Sequence, residues 1–493
     1  MKGFVVFFYF SNLVNYDVMA VLLRSIPVSG WFLLLLLRPN NAAAATSWTW
    51  ASGPRTASAP LSSAQPAARC CAQSWTASAK LYLFGGSSDV FLGDMWSFDP
   101  AEPANGWVAV PGGGSFENNT GGNATTPSAR SYAVTWTVSK ASAAADELWM
   151  WGGFGAAKAG DVDGHLLTDM WRWTVNSSSW EKVSQGRSNA LRPPPRNWAN
   201  FWSTNSGQTL YIHSGMGGSL TPWGGFAEPF SDLWRFDVVM NDTTNESGAV
   251  VGGAWTKVYD YSRSDPGVHY DDLPSQKRSP GYRSNAYTAV APNGRGDLWL
   301  YGGEGGITQR LSNDTVITTT DGDFQDVWRF NVRDQRWSHV AGPRTAMGGP
   351  PHIGCSSNVS GACEPVYGVK GMASNASLPP AEHAGVIFRE LASSGSSFFF
   401  FGGENGSEAI GMRNGLWRFD LDAAEWAWVS GAKGYNGAAT YGSVGVPSAT
   451  NTPGARYAGQ GWVVGGQGWL FGGYGLDANR TAGYLSDMWS FEL

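Results

Sequence analysis

One short cassette of sequence recurs six times and constrains the fold more than any other feature. An apolar run ends in a glycine pair, a segment centred on a tryptophan follows, and a segment of the form W-x-x-V comes third. The first glycines of the pairs are Gly85, Gly152, Gly302, Gly402 and Gly472, and a degenerate copy ends at Gly215. The central tryptophans are Trp96, Trp171, Trp234, Trp328, Trp417 and Trp489. A cassette that recurs in the same order along the whole chain indicates a repeat architecture.

The cassette has the properties of β-structure. Its apolar runs are aromatic and β-branched without polar alternation, which is typical of strands buried on both faces. The glycine pair ends each run where positive φ is required or where a side chain would clash. Tryptophans on adjacent strands can pack between consecutive sheets and bury large apolar areas. The chain has 65 Gly and only 15% charged residues, so we predict an all-β fold with many turns.

The last copy stops at Leu493 before any W-x-x-V segment, and a matching segment stands at the other end of the chain. There, Trp48 and Ala51 align with Trp337 and Val340 of a complete copy. The ordered combination of Gly-Gly, aromatic strand and later Trp resembles the kelch repeat over residues 46–493. The resemblance implies a six-bladed β-propeller, and we expect the N-terminal strand around Trp48 to complete the last blade, because an open seam would leave unpaired edges.

Residues 1–45 differ from the rest of the chain. A basic residue, the apolar run WFLLLLL and an alanine tract follow one another, which is the layout of a signal peptide, with a signal-anchor as the alternative. Translation from Met19 would give a leader of more usual length. We therefore expect a secreted or cell-surface protein, with an intracellular location as the alternative. In an oxidising compartment Cys355 and Cys363 can form a disulfide. The glycosylation sequons are Asn118, Asn123, Asn176, Asn241, Asn245, Asn313, Asn358, Asn375, Asn405 and Asn479.

Loop lengths distinguish the two faces of the expected propeller. We name the four strands of a blade a to d from the centre outward. The connection from Gly-Gly to the c-strand Trp varies from 11 residues (Gly85 to Trp96) to 26 (Gly302 to Trp328). Connections of the a–b type are nearly constant. Variable loops on a rigid scaffold usually carry recognition, so we expect the face with the b–c and d–a loops to bind the partner.

A basic residue marks the start of strand a in five repeats, and Glu382 replaces it in the fifth. Two roles are open to these arginines: a ring at the channel mouth that holds acidic ligands, or pairing with carbonyls and with the Asp two residues before each c-strand Trp. Gly415 replaces that Asp in the fifth repeat. The arginines are Arg69, Arg130, Arg196, Arg283 and Arg456, and the aspartates are Asp94, Asp169, Asp232, Asp326 and Asp487.

Four loop residues that lie outside the recurring positions of the repeat are further binding candidates: Trp223, Arg310, Arg413 and His165. His165 lies near carboxylates, but we expect a solvated loop there rather than a metal site. Cys70 and Cys71 are neighbours. We expect two buried thiols on opposite sides of a strand, with a disulfide between them as the less favoured alternative.

The sequence favours a binding module over an enzyme. With a net charge of −6 and no basic run, it lacks the footprint of a nucleic-acid-binding protein. We find neither the histidine and tyrosine ligands of galactose-oxidase-like enzymes nor the iron motif of nitrile-forming kelch proteins. A carbohydrate-active enzyme of the epimerase or oxidase type remains the alternative. No BTB or F-box region of an intracellular adaptor is visible. We therefore expect a monomer without a cofactor or metal that binds a protein or glycan.

Overall fold

The computed structural model describes most of the chain beyond residue 45. The described ranges are 6–13, 16–24, 31–39, 46–58, 65–114, 120–139, 146–186, 191–220, 226–239, 252–259, 278–291, 296–310, 316–343, 365–388, 397–405 and 411–493. Within them the fold is all-β, as predicted, and the only helical element is the 3₁₀ turn Pro103–Asn105. None of the described helical residues forms a segment long and apolar enough to cross a membrane.

Six antiparallel sheets dominate the fold, and each contains the four strands of one repeat in the order a, b, c, d. Sheet 1 comprises Gln73–Ala77, Lys80–Ser87, Phe91–Phe98 and Trp107–Ala109, and sheet 2 comprises Val134–Val138, Glu147–Trp151, Met170–Thr174 and Ser179–Lys182. Sheet 3 comprises Asn200–Thr204, Thr209–His213, Leu233–Val238 and Gly253–Tyr259, and sheet 4 comprises Tyr287–Val290, Leu298–Tyr301, Val327–Asn331 and Arg336–Ala341. Sheet 5 comprises Val386–Phe388, Ser397–Glu404, Met412–Asp420 and Glu425–Ser430, and sheet 6 comprises Gln460–Val464, Gln467–Leu476, Ala482–Glu492 and Trp48–Ser52.

The d strand of sheet 6 comes from the start of the chain. Trp48–Ser52 pairs antiparallel with Ala482–Glu492, so that Trp50 lies opposite Trp489 and Trp48 opposite Phe491. The indole of Trp48 also donates to Ser430 Oγ in sheet 5, at 3.1 Å. The first described residues after position 45 therefore join the last strand of the chain.

Shorter strands lie outside the four-stranded sheets. Two long b–c connections form hairpins, and the others pair near the ends of the a and b strands. These strands are Arg130–Ser131, Phe154–Gly155, His165–Leu166, Met216–Leu220 with Phe226–Pro229, Glu304–Arg310 with Val316–Asp323, and Arg456–Tyr457. A separate three-stranded sheet comprises Val6–Leu13, Tyr16–Arg24 and Trp31–Pro39.

The apolar core lies between consecutive sheets. Trp75 and Phe84 of sheet 1 pack with Trp180 of sheet 2, and corresponding clusters join sheets 2 to 3, 3 to 4, 4 to 5 and 5 to 6. A sixth cluster joins sheet 6 to sheet 1 through Trp469 and Trp107. Every residue of the b strands Glu147–Trp151 and Thr209–His213 is buried, which confirms the prediction of strands covered on both faces.

The glycine pairs meet both demands expected of them. Gly85 and Gly86 have φ of +62° and +98°. A Cβ on Gly85 would lie 2.7 Å from the carbonyl oxygen of Arg130, and one on Gly86 would lie 2.6 Å from that of Cys70. Left-handed backbone and close approach of a neighbouring segment thus both require glycine here.

Candidate functional site at the entrances of the a strands

Five sheets share a buried Arg–Asp–Trp unit. In sheet 1 the guanidinium of Arg69 donates to both oxygens of Asp94, at 2.6 and 2.8 Å, and to the carbonyl of Gly85 at 2.8 Å. The indole of Trp96 donates to the same carboxylate at 2.6 Å. Sheets 2, 3, 4 and 6 repeat the ion pair with Nη1–Oδ1 distances of 2.6 to 2.7 Å. The repeated pairs are Arg130 with Asp169, Arg196 with Asp232, Arg283 with Asp326, and Arg456 with Asp487.

These contacts support the structural role of the arginines rather than a ligand role. Each arginine is at most 1% exposed, and its guanidinium donates hydrogen bonds to acceptors within its own sheet. Burial alone would raise the pKa of Asp169, but the charge and hydrogen bonds of Arg130 lower it to about 2. The guanidinium groups therefore neutralise buried carboxylates and tie the start of strand a to strands b and c.

Sheet 5 departs from this unit. Glu382 occupies the arginine position with 2% exposure, and Gly415 occupies the aspartate position. Burial raises the pKa of the Glu382 carboxyl well above its usual value, Arg413 opposes this shift, and Asp323 adds to it. The hydroxyl of Tyr287 from sheet 4 donates to the carbonyl of Gly402 at 3.1 Å. A neutral phenol thus makes the bond that an arginine makes in the other five sheets.

Two residues after each arginine position, one residue with left-handed backbone introduces strand a. Its φ lies between +50° and +61° in all six sheets. Five N–H···O=C bonds of 2.6 to 3.2 Å connect these residues between neighbouring sheets. We call this set the collar. It consists of Tyr132, Cys71, Ala458, Ala384, Asn285 and Trp198, in which each residue donates to the next.

The collar borders a space between the a strands. A cavity of about 130 Å³ is lined by the collar and by the first residues of the a strands. A second cavity of about 400 Å³ lies towards the a–b turn Asn205–Gly207. The two share Ser74, Thr135, Phe201 and Gly461 in their walls. The two cavities are therefore adjacent, one at the collar and the other towards the a–b turns.

Beside the collar, a second set of residues recurs in all six sheets. The residue before each collar residue forms a β-bridge with the residue that follows the glycine pair. We call these twelve residues the rim. The rim pairs are Cys70 with Ser87, Ser131 with Phe154, Asn197 with Met216, Ser284 with Glu304, His383 with Glu404, and Tyr457 with Tyr474.

Sheets 4 and 5 make one side of the rim acidic. His383 Nδ1 lies 2.7 Å from Asp323 Oδ1, and its Nε2 lies 3.4 Å from Glu404 and 3.9 Å from Glu304. Burial alone would lower the pKa of His383, but the bonds to Asp323 and Glu404 raise it well above its usual value. Asp323 is fully buried, whereas the side chains of Glu404 and Glu304 are 25% and 31% exposed. This side thus brings one imidazole together with three carboxyl groups.

The other side of the rim is aromatic. The rings of Tyr457 and Tyr474 lie 5.6 Å apart, and Tyr484 stands edge-on to Tyr474 at 5.3 Å. In the collar, Tyr132 packs edge-on against Trp198 at 6.1 Å. Burial, and then the charge of Glu404, raise the pKa of both the Tyr132 and the Tyr457 hydroxyls. The two sides of the rim are therefore electrostatically coupled.

A disulfide joins Cys70 of the rim to Cys71 of the collar, so the prediction of two buried thiols was wrong. The reason lies in the backbone. Neighbouring residues face opposite sides only in an extended strand, and Cys71 has φ of +61°. The disulfide packs with Ala458, Tyr132 and Tyr457, at the aromatic side of the rim.

Two other predicted binding residues lie beside the rim: His165 pairs with Gly155, the neighbour of Phe154, and Arg413 pairs with Gly403, the neighbour of Glu404. His165 is exposed, and its Nε2 lies 3.1 Å from Asp161. Arg413 is buried, stacks on Tyr435 and bonds to the carbonyl of Lys433. Among the described residues, no group of His, Cys, Asp and Glu is arranged to hold a metal ion. Trp223, Cys355, Cys363 and the side chain of Arg310 lie outside the description.

Half of the predicted glycosylation sites can be located. Asn123, Asn176, Asn375 and Asn479 are exposed, whereas Asn405 is partly buried and donates to the carbonyl of Ala381 at 3.4 Å. The remaining predicted sites lie outside the described ranges: Asn118, Asn241, Asn245, Asn313 and Asn358.

Sequence reasoning missed the rim, although a signal for it was present. The residue after each glycine pair and the residue after each arginine position stand at fixed places in every repeat. Comparing these two positions across the six copies would have singled out Glu304, His383 and Glu404 as charged exceptions. Asp323 carries no such signal, because it lies at the end of a hairpin of variable length.

Comparisons with known proteins add little to this description. No family model matches the chain, and no curated protein matches it. A search of solved structures found 117 matching chains. One is described as "Structure of YjhT"; it is 13% identical, the match covers 86% of this chain and 95% of that one, and the TM-score is 0.45. A similarity this weak supports no inference about function.

Proposed function

We propose that the six sheets are the blades of a kelch-type propeller, closed by the N-terminal strand, and that its rim binds a glycan. Three observations support the architecture: six sheets of one topology, six apolar clusters that each join two of them, and the pairing of Trp48–Ser52 with the last strand. In such a propeller the collar surrounds the channel, and the rim stands at its mouth on the face of the b–c and d–a loops.

The observation that carries the binding function is the composition of the rim. Aromatic rings lie on one side and partly exposed carboxylates on the other, beside a cavity. Sugars present apolar C–H faces that pack on aromatic rings and hydroxyls that donate to carboxylates. Such a mixture of apolar surface and a few polar groups is typical of ligand sites. A protein partner is the alternative occupant of this surface, and the binding experiment below distinguishes a glycan from a protein.

A glycan-binding role fits a secreted or cell-surface protein. Four of the five sequons in the described ranges are exposed, as glycosylation requires. Expression of the full chain in a eukaryotic secretory host tests this location. We expect protein in the medium or on the surface, with a mass that falls after enzymatic removal of N-glycans. Retention in the cytosol without glycans would contradict it.

The binding proposal is tested with the purified full chain on a glycan array and against a panel of secreted proteins. We expect glycans to be retained, and we expect Tyr474→Ala to weaken their binding about tenfold, because one stacked ring is lost. Tyr435→Ala is the control, because Tyr435 is partly buried but lies outside the rim. Retention of proteins alone, or equal effects of the two variants, would contradict the glycan site.

A second candidate function rests on one contact. His383 is oriented by Asp323 at 2.7 Å and directs Nε2 towards Glu404 and Glu304. A carboxylate-oriented imidazole is a common arrangement for proton transfer, which a sugar epimerase requires. Incubation of each retained sugar with the protein in deuterated water tests this function. Deuterium at carbon that is lost in His383→Asn would establish catalysis and displace the pure binding role.

A further inference from the structure

The disulfide of sheet 1 has no counterpart in the other repeats. In each sheet a rim residue directly precedes a collar residue, and only Cys70 and Cys71 of sheet 1 are joined by a bond between their side chains. The other five collar residues have the same left-handed backbone and belong to the same hydrogen-bonded series without a disulfide. The disulfide is therefore not needed to form the collar.

Stabilisation of the folded chain does not explain the disulfide either. It joins adjacent residues, so the loop that it closes is the shortest possible and removes little freedom from the unfolded chain. The backbone of Cys70 exchanges two hydrogen bonds with Ser87, of 2.9 and 3.0 Å, and the N–H of Cys71 donates to the carbonyl of Ala458 at 2.8 Å. These bonds do not involve the sulfur atoms. What the disulfide adds is thus the packing of its side chains.

The disulfide packs against two aromatic rings of the proposed binding surface. Cys70, Cys71 and Ala458 form an apolar cluster, and Tyr132 and Tyr457 pack against it. The two cysteines are 8% and 4% exposed, whereas both tyrosines are partly exposed. Contacts between sulfur and aromatic rings are favourable. The disulfide is thus a buried support for rings that remain open to solvent in part.

The two supported rings connect the disulfide to the rest of the site. Tyr457 lies 5.6 Å from Tyr474, and Tyr132 stands edge-on to Trp198 at 6.1 Å. Cys71, Tyr132 and Trp198 also line the cavity of about 130 Å³. A displacement at the disulfide would therefore reach both the aromatic side of the rim and the wall of the cavity.

Reduction of the disulfide would cause such a displacement for a steric reason. A covalent bond holds two sulfur atoms closer together than two separate thiols can stand. Because both cysteines are buried and hydrogen bonds hold their backbone, at least one sulfur must rotate towards a neighbouring side chain. The neighbours include the rings of Tyr132 and Tyr457, which are partly exposed and can yield. Reduction is therefore expected to shift these rings.

We propose that the Cys70–Cys71 disulfide positions Tyr132 and Tyr457 for ligand binding, so that glycan binding at the rim depends on its oxidation. This inference rests on the proposed glycan-binding function and adds a positioning element to the same site. A dithiol reductant reverses the state: one of its thiolates attacks a sulfur of the disulfide and forms a mixed disulfide, which its second thiol then resolves. The reductant becomes a disulfide, and two electrons and two protons pass to Cys70 and Cys71.

The test uses the full chain with Cys355→Ser and Cys363→Ser, which leaves Cys70 and Cys71 as its only cysteines. A thiol assay in denaturant should find no thiol before treatment with dithiothreitol and two thiols after it. On a printed glycan array, the apparent affinity for each retained glycan should fall about tenfold on reduction and recover on reoxidation. Two thiols in the untreated protein would overturn the inference. Equal affinities of the two states would overturn it too, and would leave glycan binding intact.

A matched variant separates positioning from stability. Adding Cys70→Ser and Cys71→Ser to this chain removes the bond at nearly constant side-chain size. This variant should show the affinity of the reduced protein without dithiothreitol, and dithiothreitol should not change that affinity further. The denaturation midpoint should change little in either case. Undiminished affinity in the variant would overturn the inference, and so would a midpoint that falls in parallel with the affinity, because lost stability would then explain the weaker binding.

Fluorine NMR of the chain labelled with 3-fluorotyrosine follows the rings without a glycan. The signals of Tyr132 and Tyr457 are assigned from Tyr132→Phe and Tyr457→Phe. On reduction we expect both signals to shift, whereas the signal of Tyr435, which lies outside the rim, should stay in place. Unchanged signals of Tyr132 and Tyr457 would overturn the inference. If the rings shift but the oxidised protein retains no glycan, the inference fails together with the proposed glycan-binding function.

Discussion

Sheet 5 and the other five sheets solve the same structural problem in different ways. Five sheets fix the start of strand a with a buried arginine that pairs with an aspartate and donates to the carbonyl of the first residue of the glycine pair, which is Ser214 in sheet 3. Sheet 5 places a buried carboxyl there and lacks the aspartate, and it borrows a phenol from sheet 4 for the glycine carbonyl. Two of the three charged side chains of the rim, His383 and Glu404, lie in this same repeat, and the third, Glu304, lies in sheet 4. The sheet that departs from the repeated unit thus also supplies two of the charged residues of the rim.

The largest expected effect follows from breaking the regular unit. Asp326→Ala leaves the guanidinium of Arg283 buried without its carboxylate, because both side chains are at most 2% exposed. Removal of one partner of a buried ion pair costs about 3–5 kcal/mol. Chemical denaturation should show this loss in the free energy of unfolding. Asp334→Ala, at an exposed turn of the same sheet, should change it by less than about 0.5 kcal/mol; a similar loss in both variants would contradict the role of the pair.

Rebuilding the regular unit in sheet 5 sharpens the comparison. A Cβ at Gly415 would lie 3.0 Å from Trp417 Nε1, the donor that binds the aspartate in the other sheets. Glu382→Arg and Gly415→Asp should each destabilise alone, because each introduces an unpaired buried charge. Together they should recover about 1–3 kcal/mol as a favourable coupling energy. Unfolding of the two single variants, the double variant and the parent measures it; additive losses would show that sheet 5 cannot accept the unit.

The buried carboxyl of sheet 5 should also change how stability depends on pH. The folded protein raises the pKa of Glu382, so its stabilising neutral form is fully present below the unfolded pKa, about 4.3. This contribution is lost as pH rises through the folded pKa, with a slope of at most about 1.4 kcal/mol per pH unit. The aspartates behave oppositely, because their pKa values are lowered.

Unfolding of the parent and of Glu382→Gln, measured from pH 4 to 8, isolates this contribution. Relative to the parent, the variant should gain stability as pH rises, since glutamine cannot ionise. Gln208→Ala, at an exposed site of the a–b turn in sheet 3, removes no titratable group, so as the control it should follow the parent. Parallel pH profiles of the parent and Glu382→Gln would show that Glu382 ionises alike in both states.

The smallest effect is expected for the second sheet-specific feature, the disulfide of sheet 1. It closes a ring within two residues, so it removes little freedom from the unfolded chain. Hydrogen bonds to Ser87, Ala458 and Tyr132 hold the backbone of the pair in any case. In a Cys355→Ser/Cys363→Ser background, reduction should release two thiols and change the free energy of unfolding by less than about 1 kcal/mol. A larger loss would make the disulfide a structural element.

Much of the fold could be predicted because the same residue types recur at the same positions of several repeats. The buried b strands follow from apolar runs without alternation, and the positive φ of Gly85 follows from its place in the glycine pair. The pairing of arginine with aspartate was one of two roles that the sequence left open, and the contacts favour it. Residues that repeat in register can be interpreted together, because the same physical demand recurs.

The charged residues of the rim stand out by their repeat positions, but the contacts among them could not be predicted, because each contact occurs once. Asp323 and His383 are 60 residues apart in sequence and come from different sheets. The disulfide was missed for a local reason: the left-handed backbone of Cys71 interrupts strand alternation, and only the collar position in all six repeats reveals that conformation. Features that occur in only one repeat are recognised from the structure rather than from the sequence.

The strand Trp48–Ser52 has a consequence for the order in which the protein can be made. It leaves the ribosome well before its partner strand Ala482–Glu492, because 430 positions separate Ser52 from Ala482 in the sequence. At usual elongation rates this delay is on the order of tens of seconds. Throughout that time two tryptophans and the outer edge of a future sheet lack their partner. The nascent chain must therefore keep an aromatic strand from pairing elsewhere, and this strand would be a target for a chaperone that binds short aromatic segments.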